Sequence, residues 1–296
     1  MGAELFDARP DLLTETADAV LGWSLREVCL EGPEERLTAT EHAQPALYAL
    51  SYVLWDALVP HLDGVDVRAA AGHSLGEYTA LAAAGVLGFE DGLRLVAERG
   101  RAMAEAAALE PSGMAALIGA DATSAEALCA ARRSEGGRLW VANLNAPGQV
   151  VVAGGVEDVE WAGDHVRDHG IRRAIPLKVA GAFHTPFMAP AAERLAGAVG
   201  SAHFGHPAFP VYANTSAAPH DDEIAAGLVA QLTGQVRFEA SVRAIAGQVD
   251  ALLHVGPGDV TAGMAKRITP DTPTHVANEL GVLAGVRTAL DEQDPA

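Results

Sequence analysis

The sequence predicts an α/β fold in two parts: a large parallel-sheet domain from residues 1–112 and 179–296, and a small unit, residues 113–178, inserted into it. Three observations carry this. A short apolar run ending at Gly72 passes through a tight turn into a helix-forming stretch, the strand–turn–helix step of an α/β sheet. After Gly113 the rhythm changes to short strands and helices in the order βαββαβ, the order of a ferredoxin-like unit. The composition, 49% apolar and 20% charged, is that of a globular chain, and 296 residues are enough to bury a sizeable core. Alanine and glycine dominate while aromatics are 5%, so helices and sheet should meet through small side chains.

Taken in order, the apolar periodicity from Thr38 to Pro60 predicts a long helix, with Gln44-Pro45 opening it because proline suits a first turn. Asp66 to Ala71 reads as a buried strand. Leu75 to Ala84 reads as a helix stopped near Gly85, and Asp91 to Leu109 as an amphipathic helix with Leu93, Val96, Met103 and Ala107 on one face. In the small unit, strands are expected at Met114–Ile118, Leu139–Asn143, Gln149–Ala153 and Ala174–Val179. Helices are expected at Ser124–Arg133 and Val156–His169, and a turn at Asn145-Ala146-Pro147-Gly148. Beyond it, helices are expected at Pro186–Val199, Asp222–Thr233 and Phe238–Gly247. Strands follow at Val211–Asn214 and Ala251–Val255, and the polar tail after Leu290 is expected to fray. No repeat is present.

A formal net charge of −19 argues against a nucleic-acid or membrane-surface binder, because phosphates are repelled. No apolar stretch is long enough to span a bilayer, and the N-terminus carries Glu4, Asp7 and Asp11 rather than a signal-peptide pattern. The two cysteines, Cys29 and Cys129, read as buried thiols, and no metal spacing such as CxxC is present. A reduced, cytoplasmic protein without metal or organic cofactor is expected. In that compartment Asn214-Thr215-Ser216 is a glycosylation sequon without consequence.

The strongest chemical signal is Gly72-His73-Ser74-Leu75-Gly76, a G-x-S-x-G between a strand and a helix, the nucleophile elbow of an α/β-hydrolase-like sheet. There Ser74 projects above the sheet, and the Leu75 amide, at the start of the helix, is a ready donor to an oxyanion. A serine hydroxyl needs a base. Among eleven histidines, His184 stands out, because Gly181-Ala182-Phe183-His184 forms a loop after a strand, where open α/β sheets place their sites. His73 competes but adjoins Ser74 and should point away from it. Arg99, in Glu98-Arg99-Gly100-Arg101, can clamp a carboxylate, although by itself it reads as a solvated residue on a helix. Gly256-Pro257-Gly258 lacks a phosphate-loop pattern and reads as a tight turn after a strand.

Taken together, Gly72-His73-Ser74-Leu75-Gly76-Glu77-Tyr78, Glu98-Arg99-Gly100, Gly181-Ala182-Phe183-His184 and Val255-Gly256-Pro257-Gly258 resemble, in order and spacing, the malonyl-CoA:acyl-carrier-protein transacylases of fatty acid and polyketide synthesis. Glu31-Gly32-Pro33-Glu34-Glu35 and Gln44-Pro45-Ala46 fit the family's early helices, so the resemblance spans nearly the whole chain. It implies that Ser74 is the nucleophile and His184 its base, oriented by the backbone carbonyl of Gln231 rather than by an acid. It implies that Leu75 supplies an oxyanion amide, that Gln44 lines the pocket, and that Arg99 grips the free carboxylate of a malonyl group. Phe183 and His73 are placed beside the substrate. Leu75 and Phe183 resemble the malonyl-selective pattern, where methylmalonyl-selective relatives carry glutamine and serine. The partners implied are malonyl-CoA and a phosphopantetheinylated acyl carrier protein. That carrier is itself acidic, so Arg172, Arg173 and Lys178 are candidates to receive it. One departure stands out. The family opens with a strand and a Gly-Gln-Gly loop, whereas Met1-Gly2-Ala3-Glu4-Leu5-Phe6 matches the segment after them. The missing strand is expected to leave neighbouring backbone unpaired and to slow turnover.

Three other activities share some of these features. A hydrolase that clears carrier-bound acyl chains would have the elbow and histidine but not Arg99. An α/β-hydrolase esterase would need an acid between serine and histidine, and residues 113–178 offer no clear candidate. A carrier-docking module weakened by the missing N-terminal segment would bind but not turn over.

Overall fold

The computed structural model describes residues 2–221 and 223–291. Helices α1 (Ala3–Ala8), α2 (Ala17–Leu21), α3 (Leu25–Leu30) and α4 (Glu34–Thr38) lead into the long α5 (Thr40–Leu58). Strand β1 (Ala70–Ala71), α6 (Gly76–Ala83) and α7 (Phe89–Leu109) follow. Next come β2 (Ser112–Ile118), α8 (Ala122–Ser134), β3 (Leu139–Ala146), β4 (Gln149–Gly155), α9 (Val156–His165) and β5 (Arg173–Pro176). The chain closes with α10 (Ala189–Val199), β6 (Val211–Tyr212), α11 (Ile224–Gln231), α12 (Phe238–Ala246), β7 (Leu252–Val255), α13 (Val260–Ile268), β8 (Thr274–Ala277) and α14 (Leu283–Asp291).

This is a mixed α/β protein. Strands β1 and β6 pair in parallel, as do β7 and β8, whereas β3-β4-β2-β5 form a four-stranded sheet whose neighbours are all antiparallel. The main core unites α5, α6, α7 and α10 through side chains such as Leu50, Leu54, Leu81, Leu93, Val96 and Leu195. Burying each large apolar side chain contributes about 1.5–3 kcal/mol. The four-stranded sheet has its own core, in which Leu117, Val150 and Val152 meet Leu128 and Cys129 of α8 and Ala162 of α9.

Several expected boundaries shift, each for a local reason. Pro45 does not open its helix; it is the sixth residue of α5, whose start at Thr40 lies five residues earlier. Strand β1 is two residues long rather than six, because the Ala70 amide bonds Pro210, and a proline on the partner cannot donate to extend the ladder. Strand β6 stops at Tyr212 because the chain turns back, with Ala213 donating to Ala218 and Ala217 to Ala213. Strand β5 ends at Pro176 and its last ladder contact is the Leu177 amide on Met114, so Val179 lies outside it. The helix expected through His169 gives way after His165 to a tighter turn that Gly170, at φ +72°, terminates. Pro186 begins a short turn at Pro186–Met188, and α10 starts after it. Helix α11 begins at Ile224; Asp222 and the tail residues 292–296 lie outside the described residues.

Candidate active site

Ser74 sits where β1 hands over to α6. Its φ of +53° is left-handed, the backbone form of a strained elbow. Gly72 makes the turn possible: a Cβ there would lie 1.9 Å from the Gly76 carbonyl carbon. His184 comes from the loop between β5 and α10 and is also left-handed, at φ +60°. That loop is pinned by Thr185, whose hydroxyl donates to the Ala182 carbonyl at 2.6 Å, and by Ser112, whose hydroxyl accepts the Ala182 amide at 3.1 Å.

The two side chains meet, with Ser74 Oγ 2.7 Å from His184 Nε2. On the other side of the ring, Nδ1 lies 2.9 Å from the Gln231 main-chain oxygen. Gln231 is the last residue of α11, so its carbonyl is one of those that a helix end leaves without a partner. A carbonyl only accepts, which places the ring proton on Nδ1 and leaves Nε2 to take the serine proton. His184 is 5% exposed, and burial, helped by the nearby Arg99 charge, pulls its pKa down to about 3 against the Gln231 hydrogen bond. The base is therefore neutral at ordinary pH. No carboxylate orients it.

Arg99 is 1% exposed and sits on α7 between the apolar positions Val96 and Met103, so its reading as a solvated residue is overturned. Its guanidinium donates to Gln44 Oε1 at 2.5 Å, to Gln231 Oε1 at 2.9 Å and to Ser74 Oγ at 3.0 Å, over the Tyr78 ring. These acceptors are all neutral. Arg99 forms no ion pair among the described residues, and its buried Nε has no partner at all. The nearest carboxylate, Glu77, acts on it only from a distance, with the Gln231 amide between them, so burial still pulls the Arg99 pKa down and a directly paired anion would stabilise the cation.

The remaining expected residues are placed as follows. The Leu75 amide, just past the serine at the N-cap of α6, has no hydrogen-bond acceptor among the described residues and is free to donate to an oxyanion. Gln44 is buried, its amide nitrogen on Met103 Sδ at 3.4 Å. Phe183 precedes His184 and packs on the main core. His73 turns away from Ser74, its Nε2 2.7 Å from Asn145 Oδ1 and its ring edge-on to Phe238, and burial lowers its pKa. It does not join the contacts among Ser74, His184 and Arg99. Arg172, Arg173 and Lys178 are exposed, and Gly256-Pro257-Gly258 forms the turn after β7.

Residues without an expected role also converge here. Glu77, 1% exposed, accepts from the Gln231 side chain at 2.8 Å and meets His220 Nε2 at 2.7 Å. Gln231 Nε2 also reaches the Ser74 carbonyl at 3.0 Å. Glu77 belongs to the elbow heptapeptide, yet nothing in one sequence distinguishes a buried carboxylate there from a solvated one.

Comparison with known proteins gives a consistent picture. The family description "Acyl transferase domain" matches residues 1–267. A malonyl CoA-acyl carrier protein transacylase of Bacillus subtilis is 36% identical over 100% of this chain and 95% of its own. The crystal structure of an acyl-carrier-protein-S-malonyltransferase from Bartonella henselae superposes with a TM-score of 0.91 at 35% identity, covering 98% of this chain and 95% of that one. A malonyl-transacylase solved in complex with a type II PKS acyl-carrier protein superposes at 0.87 with 38% identity, over 96% of this chain and 94% of that one.

Proposed function

This chain belongs to the acyl transferase family, and from that premise we propose that it moves a malonyl group from malonyl-CoA to the phosphopantetheine thiol of an acyl carrier protein, in fatty acid or polyketide synthesis. The observation that carries the proposal is Arg99, a buried cation without a carboxylate partner, 3.0 Å from Ser74 Oγ. A malonyl ester on Oγ would hold its free carboxylate within roughly 5 Å of that oxygen by ordinary bond lengths, inside the reach of the guanidinium.

The chemistry proceeds in two exchanges. In the first, Ser74 Oγ attacks the thioester carbon as its proton passes to His184 Nε2. The oxyanion faces the Leu75 amide, a donor of a kind whose removal costs about 3–4 kcal/mol in other serine enzymes. The carbon–sulfur bond breaks, and the CoA thiolate leaves with the proton from Nε2. In the second, the carrier thiol gives its proton to Nε2, its sulfur attacks the ester carbon, and Ser74 Oγ leaves as the hydroxyl. Gln231 holds Nδ1–H throughout, so the ring keeps one tautomer. Gln44 orients Arg99, and Phe183 and Leu75, which resemble the malonyl-selective pattern, are the residues expected to disfavour a branching methyl. A methyl is worth only about 1–3 kcal/mol of discrimination.

Intact-mass measurement tests this. Malonyl-CoA should leave one malonyl adduct on the wild type and none on Ser74→Ala, and acetyl-CoA should leave little on either. Equal labelling by both thioesters would refute the assignment of Arg99 as selector, and a persistent adduct on Ser74→Ala would refute the nucleophile.

For the carrier we propose a docking face on the small unit around Arg172 and Arg173, with Lys178 just beyond the end of β5. In a chain of net charge −19, none of the three is in an ion pair among the described residues. The Arg172 amide bonds the Ile118 carbonyl, the Gly119 amide bonds Gly148, and Arg267 bonds the Pro147 carbonyl, so a further cation lies close to this turn. Reversing Arg172 and Arg173 to glutamate should raise the carrier KM about tenfold and leave malonyl loading from CoA unchanged. Steady-state kinetics with carrier varied, beside a loading assay, checks both.

We further infer that residues 113–178 are a ferredoxin-like insertion in a catalytic domain of residues 1–112 and 179–296. The strand order β3-β4-β2-β5 and the separate apolar cluster support it. A cytoplasmic location fits the cysteines. They lie in different cores, and burial pushes Cys29 up to about 11 and Cys129 up to about 12, so both thiols are inert.

A further inference from the structure

Asn214 forms part of a sequon in the sequence, but it is 1% exposed, inside the turn that ends β6. Both ends of its amide are engaged. Oδ1 accepts the Ser74 N–H at 2.7 Å, and Nδ2 donates to the Gly72 carbonyl at 2.7 Å. One side chain therefore bridges the peptide groups on either side of His73 and ties the elbow to the neighbouring strand. Its own backbone N–H donates to Glu77 Oε2 at 2.9 Å, the oxygen that also accepts from Gln231. Glu77 can only accept, so it fixes the position of Asn214 from behind.

We propose that Asn214 is a positioning residue for the nucleophile: its amide holds Ser74 in the left-handed turn with Oγ on His184 Nε2, and Glu77 holds Asn214 in place. The proposal rests on Ser74 being the acyl carrier, as argued above. A left-handed conformation at a residue with a side chain is unfavourable, so an elbow released from both hydrogen bonds relaxes toward ordinary backbone and carries Oγ off its line to the histidine. The pattern needs an acceptor and a donor on one short planar group, which asparagine supplies. Leucine, of similar size, supplies neither. Ionised aspartate supplies only acceptors and sets a negative charge against the Gly72 carbonyl, whereas protonated aspartic acid again offers one acceptor and one donor. Arg99 is held by Gln44 and Gln231 and not by Asn214, so selection between acyl groups should survive where speed does not.

The test compares wild type, Asn214→Leu and Asn214→Asp in two single-turnover reactions followed by intact mass: acylation by malonyl-CoA, and labelling by a fluorophosphonate, which reports any positioned serine. Rates are normalised to the final fraction labelled, so unfolded protein does not count. Asn214→Leu should be about a hundredfold slower per labelled site in both reactions, the scale of an ångström's misplacement, with the malonyl-to-acetyl rate ratio unchanged. Asn214→Asp should be slow at neutral pH and recover relative to wild type as pH falls toward about 5 and its carboxyl takes up a proton. His73, Glu77, His220, His184 and Arg99 face this site and a carboxylate at 214 couples to them, so Asn214→Leu, uncharged at every pH, is run over the same range and the recovery must appear in Asn214→Asp alone. A wild-type rate per site in Asn214→Leu, or an Asn214→Asp ratio that does not change with pH, overturns the proposal. If Asn214→Leu does not fold, the Asn214→Asp ratio decides alone. If the wild type takes the fluorophosphonate but no malonyl group, the transfer function fails and the fluorophosphonate rates still judge Asn214. If it takes neither, both fall.

Discussion

Replacing His184 by alanine is expected to slow formation of the Ser74 ester by at least about a thousandfold, read as single-turnover acylation by malonyl-CoA. His184 Nε2 is the acceptor at 2.7 Å from Oγ, and the other histidine near the elbow, His73, is committed to Asn145. Among the described residues the side chains bonded to Ser74 Oγ are His184 and Arg99, and a guanidinium cannot accept a proton. The substitution should also change how stability depends on pH. The folded pKa of His184, about 3, lies below the ordinary value of 6.5, because burial and then the Arg99 charge disfavour the imidazolium. Between those two values the unfolded chain binds a proton that the folded protein refuses. The contribution of this residue to stability is therefore complete above about pH 6.5 and is lost as pH falls toward 3, by at most about 1.4 kcal/mol per pH unit. Thermal melts from pH 7 to pH 4 should show a shallower decline for His184→Ala than for wild type. An equal slope in both proteins would mean that the ring titrates in the fold as it does in the unfolded chain, and the burial argument for a depressed pKa would fail.

The parts of this site that a single sequence reveals are those whose chemistry is local. The elbow is legible because five consecutive residues must satisfy one turn, and the Gly72 contact with Gly76 shows why the spacing is fixed. His184 is legible by its place in a loop after a strand. The orienting partner of His184 is not legible from residue types, because the acceptor is the main-chain oxygen of Gln231 and any residue has one. Only the family resemblance points to it.

Arg99 is a different case. The amphipathic face drawn through Val96 and Met103 passes through position 99, three residues after one and four before the other. The periodicity therefore put Arg99 on the buried face, and the bias that arginines are solvated hid a visible signal. Asn214 was hidden for the opposite reason: a buried structural amide and an exposed sequon are written with the same three letters. Strand lengths were overestimated where pairing fails rather than where composition changes. The run before Gly72 begins upstream of the point where its neighbour is Pro210, just before β6, which has no N–H to donate. The order βαββαβ of residues 113–178 was legible because its strands and helices alternate over short distances, each with its own turn.

Replacing Arg99 by leucine is expected to lower kcat/KM for malonyl-CoA by about a thousandfold, while acetyl loading rises above its wild-type rate. The first half follows from the lost ion pair with the malonyl carboxylate, a charge-assisted contact to a buried guanidinium. The second half follows from the effect of Arg99 on the base. The guanidinium lowers the pKa of His184 and, at 3.0 Å, occupies Ser74 Oγ. A bound malonyl carboxylate neutralises the guanidinium and draws it away from the hydroxyl, so the base strengthens and the nucleophile is released only when the correct acyl group is present. An acetyl group brings no carboxylate and meets a weakened base and an engaged hydroxyl. Arg99 on this account selects in the rate of acylation as well as in binding. Leucine removes the penalty on acetyl together with the reward for malonyl. Single-turnover acylation by both thioesters separates the two effects. If acetyl loading falls in parallel with malonyl loading, Arg99 acts only by shaping the site. If it rises while malonyl loading collapses, the arginine is the element that makes the serine wait for a diacid.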